Sequence, residues 1–358
     1  MILVPKYGLK SGMVLAKNTE VSSLKDSKAF LLTKGSILNE HIIEKLDSFN
    51  ISGLYIDDGR ENKIMDDEFK YKSVAAIKSI FDICEEKNEI LNNDSIRSIE
   101  EISRELSDKI YANKDITIGI SDLQTYDENT YYHSLSVTVI SIAIGTELGF
   151  SKEKLYELGV SAMLHDIGKV DIPVELITKP SRLTSEEFNV VKEHAELGGK
   201  FVINNELINE DIYGGIISHH EKFDGTGYPY GIKGYNIPIF ARVISVADVY
   251  DALTGNRPYR NPIRPSEAIE YIMGNSGISF DINIVRAFLR KIEPYPIGAS
   301  VRLSDGRQGI VIRDNINNPL RPVVKVRSER EEVLDLTNDF SLNNIVIKGI
   351  DYDYLVKR

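Results

Sequence analysis

Tryptophan is absent from the 358 residues, and there is one cysteine, Cys84. A lone thiol cannot close an intramolecular disulfide, which excludes the disulfide-stapled scaffold of secreted domains. Basic residues are in deficit: 43 Lys and Arg against 54 Asp and Glu leave a formal charge of −11. Sequence-blind binding to duplex nucleic acid needs a basic surface to neutralise phosphates, so that class of partner is set aside. A small anionic ligand in a locally cationic pocket is not. Long apolar runs are missing too, and nothing approaches the ~20 residues that span a bilayer. The stretch Met1 to Pro5 is apolar but short, with no basic segment before it, so no signal peptide and a cytoplasmic location are expected. Histidine is scarce, six in all, yet five fall between residues 133 and 220. What is present is ordinary for a folded chain: 42 % hydrophobic residues and a length that suggests about two or three domains.

Residues 1–65 read as a small N-terminal accessory α+β domain. Val14-Leu15-Ala16, Phe30-Leu31-Leu32 and Gly53-Leu54-Tyr55-Ile56 have strand character, and Ile42, Ile43, Leu46 and Phe49 share a helical face. His41 has no partner ligands near it and is read as structural or exposed. Residues 66–114 read as a helical linker with two apolar stripes, Ile77, Ile80, Phe81 and Cys84, then Ile99, Ile102, Leu106 and Ile110. Such stripes pack on a neighbouring domain or a second subunit. Cys84 in the first stripe is read as a buried small apolar residue, not a nucleophile. Residues 115–292 are mainly helical. Thr184 and Glu187 form a capping box that opens a helix expected to contain His194, and Asp248 and Asp251 lie one turn apart on a helix from Ile239 through Leu253. Asp281 is a plausible N-cap for a last helix through Phe288. Residues 293–358 turn β-rich after Pro294 and Pro296, and about five short strands suggest a small barrel-like domain.

The chemistry concentrates in the helical region. His133, His165-Asp166, His194, His219-His220 and Asp248 each fall on a helix or at its end. Imidazole with carboxylate suits divalent iron, manganese or zinc. One mononuclear site needs three or four protein ligands, and five His with two Asp suffice for two adjacent ions bridged by a carboxylate. Two metals ~3.5–4 Å apart are a recurrent device for phosphoester hydrolysis. The competing reading is a set of hydrogen-bonded core histidines, but adjacent polar pairs at helix ends are costly to bury without a ligand.

The motifs in which these residues sit resemble those of the HD-GYP family. His165-Asp166-Ile167-Gly168-Lys169 is similar to the HD signature. His219-His220-Glu221-Lys222-Phe223-Asp224-Gly225-Thr226-Gly227-Tyr228-Pro229 resembles the second signature. Ala247-Asp248-Val249-Tyr250-Asp251-Ala252-Leu253-Thr254, followed by Arg257-Pro258-Tyr259-Arg260, resembles the third. The resemblance covers residues 115–292 and implies a mainly α-helical HD-type metal-dependent phosphohydrolase core. It assigns His133, His165, Asp166 and Asp248 to one metal and His194, His219 and His220 to a second, with Asp166 bridging. Lys169 matches a residue at the scissile phosphate, where a lysine point charge is suited to help the leaving group. Arg257 and Arg260 match a cationic pair for the ligand phosphates. Tyr228 is expected at a guanine or phosphate unless its loop is purely structural. Asp251 is expected to orient the arginines or else to be a surface carboxylate, and Asp127 matches a position near the ligand. Three-metal members carry Glu four residues before the first His ligand. Here that position is Asn129, a poor ligand, and Glu128 is ~100° round a helix from it, so two ions, iron or manganese, are expected. Residues 1–60 and 295–340 are similar to accessory segments of the family.

The activity this implies is hydrolysis of cyclic di-GMP to linear pGpG, and onward to GMP in some members, through attack of a metal-bridging hydroxide on one phosphodiester. The alternatives are a phosphodiesterase for another cyclic dinucleotide such as cyclic GMP-AMP, and a non-catalytic nucleotide sensor or scaffold. A homodimer through the helical linker and signalling partner proteins are compatible with the same reading.

Overall fold

The computed structural model describes residues 2–16, 18–20, 30–46, 51, 53–57, 65–87, 90–113, 117–119, 130–255, 262–328 and 332–352. The chain divides into two compact units: Met1–Lys63 with Gly119–Tyr126 and Glu293–Arg358, and Ile64–Ile118 with Asp127–Ile292.

In the first unit, β1 (Ile2–Pro5) pairs antiparallel with the later strand β4 (Gly53–Ile56), and β2 (Thr19–Glu20) pairs with β3 (Phe30–Leu32). Asn39 caps α1 (Glu40–Lys45) by accepting the Ile42 amide. Val14 and Leu15, expected as a strand, form only isolated bridges, to Ile37 and Ile56. Phe49 lies outside the described residues. The C-terminal part corrects the barrel-like expectation. β5 (Ser300–Leu303), β6 (Gln308–Arg313), β7 (Val323–Val326), β8 (Glu332–Asp335) and β9 (Ile347–Ile350) form one antiparallel sheet in the order β8-β7-β6-β5-β9. Its edge strands β8 and β9 do not pair, so the sheet stays open. Val301, Leu303, Val311, Val324, Val326 and Leu334 supply its core.

The second unit is helical. α2 (Asp67–Lys87) and α3 (Asn93–Ala112) pack their apolar stripes inside this unit, α3 against the helices that follow. Those helices are α4 (Thr130–Glu147) and α5 (Lys152–Leu164). Cys84 is buried in this layer, and burial followed by the charge of Asp171 pushes its thiol up to about 12. It therefore stays protonated and inert at neutral pH. α4 is the central helix. It is buried continuously from His133 to Gly145, the pattern of a helix apolar on every side. Around the rest of the unit run α6 (Val174–Ile177), α7 (Ser185–Lys192), α8 (His194–Val202), α9 (Glu210–Ser218), α10 (Ile239–Thr254), α11 (Pro265–Gly274) and α12 (Ile282–Lys291).

Caps fix where several helices of this unit begin. Ser151 accepts the Lys154 amide, Asn209 the Ile212 amide and Asp281 the Asn283 amide. Thr184 and Glu187 close a reciprocal capping box, each satisfying an orphan amide of the other's turn. The helix this box opens is shorter than expected. It stops at Lys192, and His194 begins the next helix across one residue, Glu193, whose backbone stays near helical values (φ −63°, ψ −19°).

Candidate metal centre

Five helices bring their polar residues to one place. His133 projects from α4, and His165 caps the C-terminus of α5 with Asp166 next to it. His194 opens α8, His219 caps α9 with His220 following, and Asp248 and Asp251 come from α10. Three of the imidazoles are held in the same way. Nδ1 of His165 donates to the Ala162 carbonyl (2.7 Å), Nδ1 of His194 to Val191 (2.6 Å) and Nδ1 of His219 to Ile216 (2.7 Å). A carbonyl only accepts, so the hydrogen sits on Nδ1 and each Nε2 offers a lone pair. This is how metal-ligating histidines are oriented.

Two groups result, His194 with His219 and His220, and His133 with His165 and Asp166. Within each, the candidate ligand atoms lie within 4.8 Å of one another. Asp166 faces both. Its Oδ1 is 3.5 Å from His194 Nε2, while its Oδ2 is 3.4 Å from His165 Nε2 and 3.7 Å from His133 Nε2. Asp248 also lies between them, 3.1 Å from His133 Nε2 and 3.9 Å from His220 Nδ1.

The electrostatics show what this arrangement fits. Burial would raise the Asp166 carboxyl, but Lys169 and then His165 hold it well below the usual carboxylate range. Asp248 is likewise held low against burial, by His133 beside it and then by His220. Burial, then its histidine neighbours, pushes His219 far below the usual imidazole value, and burial with His194 pushes His220 down to about 3. So the carboxylates are ionised and these imidazoles neutral, which is the protonation state a metal requires. The Nε2 atoms of His194 and His219 are 3.4 Å apart, and neither can donate because both hydrogens are spent on carbonyls. Nε2 of His165 is buried with no hydrogen-bond partner. Facing lone pairs and an orphaned buried acceptor are costly unless cations share them. The donor set fits divalent metal.

Around the centre, Lys169 ion-pairs with Asp166 Oδ2 and keeps 23 % of its side chain exposed. Asp251 is not a surface carboxylate: it accepts from Nδ1 of His133 at 2.7 Å, and this turns His133 Nε2 towards Asp248 and Asp166. The Tyr228 ring stacks on His220 (centroids 4.7 Å apart, 30° between planes). The loop carrying Tyr228 is pinned by Glu221, 2 % exposed, whose Oε1 accepts the amides of Tyr230 (2.7 Å) and Gly231 (3.1 Å). Sequence reasoning passed over two neighbours, Phe188, which contacts Tyr228 edge-on, and Lys192, whose ammonium lies over both rings. Their four-residue spacing on the capped α7 was the available signal. Asp127, Arg257 and Arg260, with Glu128 and Asn129, lie outside the described residues.

Residues 115–284 match the HD domain family. That match takes in just under half of the chain, and the His219–Pro229 segment within it resembles the HD-GYP signature. An HD domain implies dependence on divalent metal, and the two His/Asp groups are suited to bind it. Among curated proteins the chain is similar to the cyclic di-GMP phosphodiesterase PA4108 of Pseudomonas aeruginosa. That match is 36 % identical over 62 % of this chain and 53 % of the relative. It is also similar to a cyclic di-GMP phosphodiesterase of Thermotoga maritima, at 35 % identity over 54 % of this chain and 52 % of the relative. The chain thus spans about half the length of these curated relatives. Among solved structures it resembles Bd1817, an HDG"Y"P protein from Bdellovibrio bacteriovorus. The TM-score is 0.54 at 18 % identity, over 80 % of this chain and 97 % of that one, a likeness of fold. No helix among the described residues is long and apolar enough to cross a membrane.

Proposed function

We propose that this protein is a metal-dependent phosphodiesterase that opens cyclic di-GMP, and that it holds two divalent transition-metal ions, iron or manganese. The observation that carries the reading is Asp166, whose two oxygens face the two histidine groups from opposite sides of one buried carboxylate. His133, His165 and Asp248 would complete one ion's ligands, and His194, His219 and His220 the other's. Two ions bound there supply a nucleophile at neutral pH and stabilise charge on phosphoryl oxygens.

The chain's own residues do the rest. Asp251 fixes the His133 ring, and the three backbone carbonyls fix His165, His194 and His219, so the centre needs no rearrangement when substrate arrives. Lys169 sits beside Asp166 and would offset phosphate charge and steady the departing 3′ oxygen. Arg257 and Arg260 would add positive charge for the second phosphate, a role supported by their sequence motif alone. The net charge of −11 does not oppose a dianionic substrate, because the centre supplies positive charge locally. The substrate class is supported by the names of the two relatives.

The test is turnover. Protein loaded with Mn²⁺ or Fe²⁺ is expected to convert cyclic di-GMP to a linear product followed by chromatography, and to prefer it over cyclic GMP-AMP in competition. Tight nucleotide binding with no turnover in any metal would make the protein a sensor, and preference for cyclic GMP-AMP would change the substrate.

A further inference from the structure

A line of rings leads away from the metal centre. Tyr228 stacks on His220, and Phe188 meets Tyr228 edge-on, with centroids 6.3 Å apart and an 85° angle. Phe188 is 44 % exposed, so part of it stays open to solvent beyond its contact with Tyr228. The Lys192 ammonium lies 4.8 Å from the Phe188 centroid and 5.6 Å from that of Tyr228. Lys192 hydrogen-bonds Asn189 Oδ1 at 3.2 Å, and among the described residues it has no carboxylate partner. A partly buried cation without a counter-ion among the described residues, held over two aromatic rings beside the candidate metal centre, is a place for a flat ligand with an acceptor edge. An isolated exposed Phe would mean nothing; the conjunction does.

We infer that Phe188, Tyr228 and Lys192 form a guanine-reading ledge for the dinucleotide substrate, an inference that rests on the phosphodiesterase reading above. A purine has a π-face that stacks on aromatic rings whatever its sequence context. Its identity is read at the edge. Guanine presents two adjacent acceptors, O6 and N7, to a lysine ammonium, whereas adenine places an amino donor beside N7, which a cation repels. Because the ledge starts at His220, a base on it stays within a nucleotide's reach of the metal centre. α7 supplies Phe188 and, one turn later, Lys192, and α8 opens on His194, so base recognition and the second histidine group are carried on adjoining helices.

The experiment uses the full chain loaded with Mn²⁺, as wild type, Phe188→Ala and Lys192→Gln. Phe188→Ala is expected to raise KM for cyclic di-GMP by about 10-fold with kcat little changed. Lys192→Gln is expected to cut the preference for cyclic di-GMP over cyclic di-AMP by about 10-fold. Both should keep the wild-type metal content and melting temperature. Calorimetric titration with GMP and AMP is run alongside, and GMP should bind wild type more tightly than either variant. If wild type turns over cyclic di-GMP and the variants keep its KM and its base preference, the ledge is wrong and the phosphodiesterase reading stands. If wild type turns over no cyclic dinucleotide but binds GMP through Phe188 and Lys192, the ledge stands and that reading falls. Loss of bound metal or a lowered melting temperature in both variants would assign both residues a structural role and overturn the ledge.

Discussion

Asp166→Asn should leave the helical unit folded and remove both bound metal and turnover. The substitution keeps the shape of a side chain only 1 % exposed, so packing is unchanged. What it removes is charge. One oxygen of the carboxylate faces His194 and the other faces His165 and His133, so both groups lose an anionic partner together. Outer-sphere partners of a metal site cost ~10–100-fold when mutated. A residue shared by both groups should cost more, about 10³-fold in kcat/KM with metal content near zero by elemental analysis. Lys169 would also lose its partner, which leaves a cation aimed at the emptied centre. Circular dichroism and thermal melting separate this outcome from unfolding. Retained metal with retained activity would show that Asp166 is a core carboxylate and not a shared ligand.

Gly168→Ala should destabilise the unit strongly, by roughly 3 kcal/mol, for a reason found in the motif itself. Gly168 lies in the tight turn Ile167–Asp171 that follows Asp166, and this turn packs on α8. A Cβ there would fall on the His194 carbonyl and the Gly198 backbone. Neither is a flexible side-chain end, so α8 must move and His194 moves with it. Metal affinity should fall along with the melting temperature. Gly274→Ala is the control: a Cβ at that helix position meets nothing within 4 Å, so the change should be neutral or stabilising by about 0.5–1 kcal/mol. Equal melting temperatures for wild type and Gly168→Ala would remove this account of why the turn requires glycine.

The parts of the molecule that could be read from sequence are those written in short-range spacing. The capping box at Thr184 and Glu187 was one, as were the Asp281 cap and the pairing of Asp248 with Asp251 on one helix. The histidines stood out because imidazole and carboxylate so close to helix ends have few other uses. Long-range contacts were not legible. Asp251 and His133 are 118 residues apart, and nothing local to Asp251 distinguishes a histidine partner from solvent. The C-terminal strands were recognisable from their β-branched residues, but closure depends on whether the edges Glu332–Asp335 and Ile347–Ile350 meet, and strand pattern does not encode that. The break at Glu193 was hidden because its backbone hardly leaves helical values. Glu221 carried no visible signal for its task, since the amides it accepts belong to Tyr230 and Gly231, at the far end of the loop.

The proposed dinuclear centre divides its ligands about one shared carboxylate, Asp166. Elemental analysis of protein purified without oxygen tests that most directly, because it reads the number and kind of ion together. The account predicts two ions per chain, iron or manganese, both lost in Asp166→Asn. Three ions per chain, or two that survive in Asp166→Asn, would contradict it.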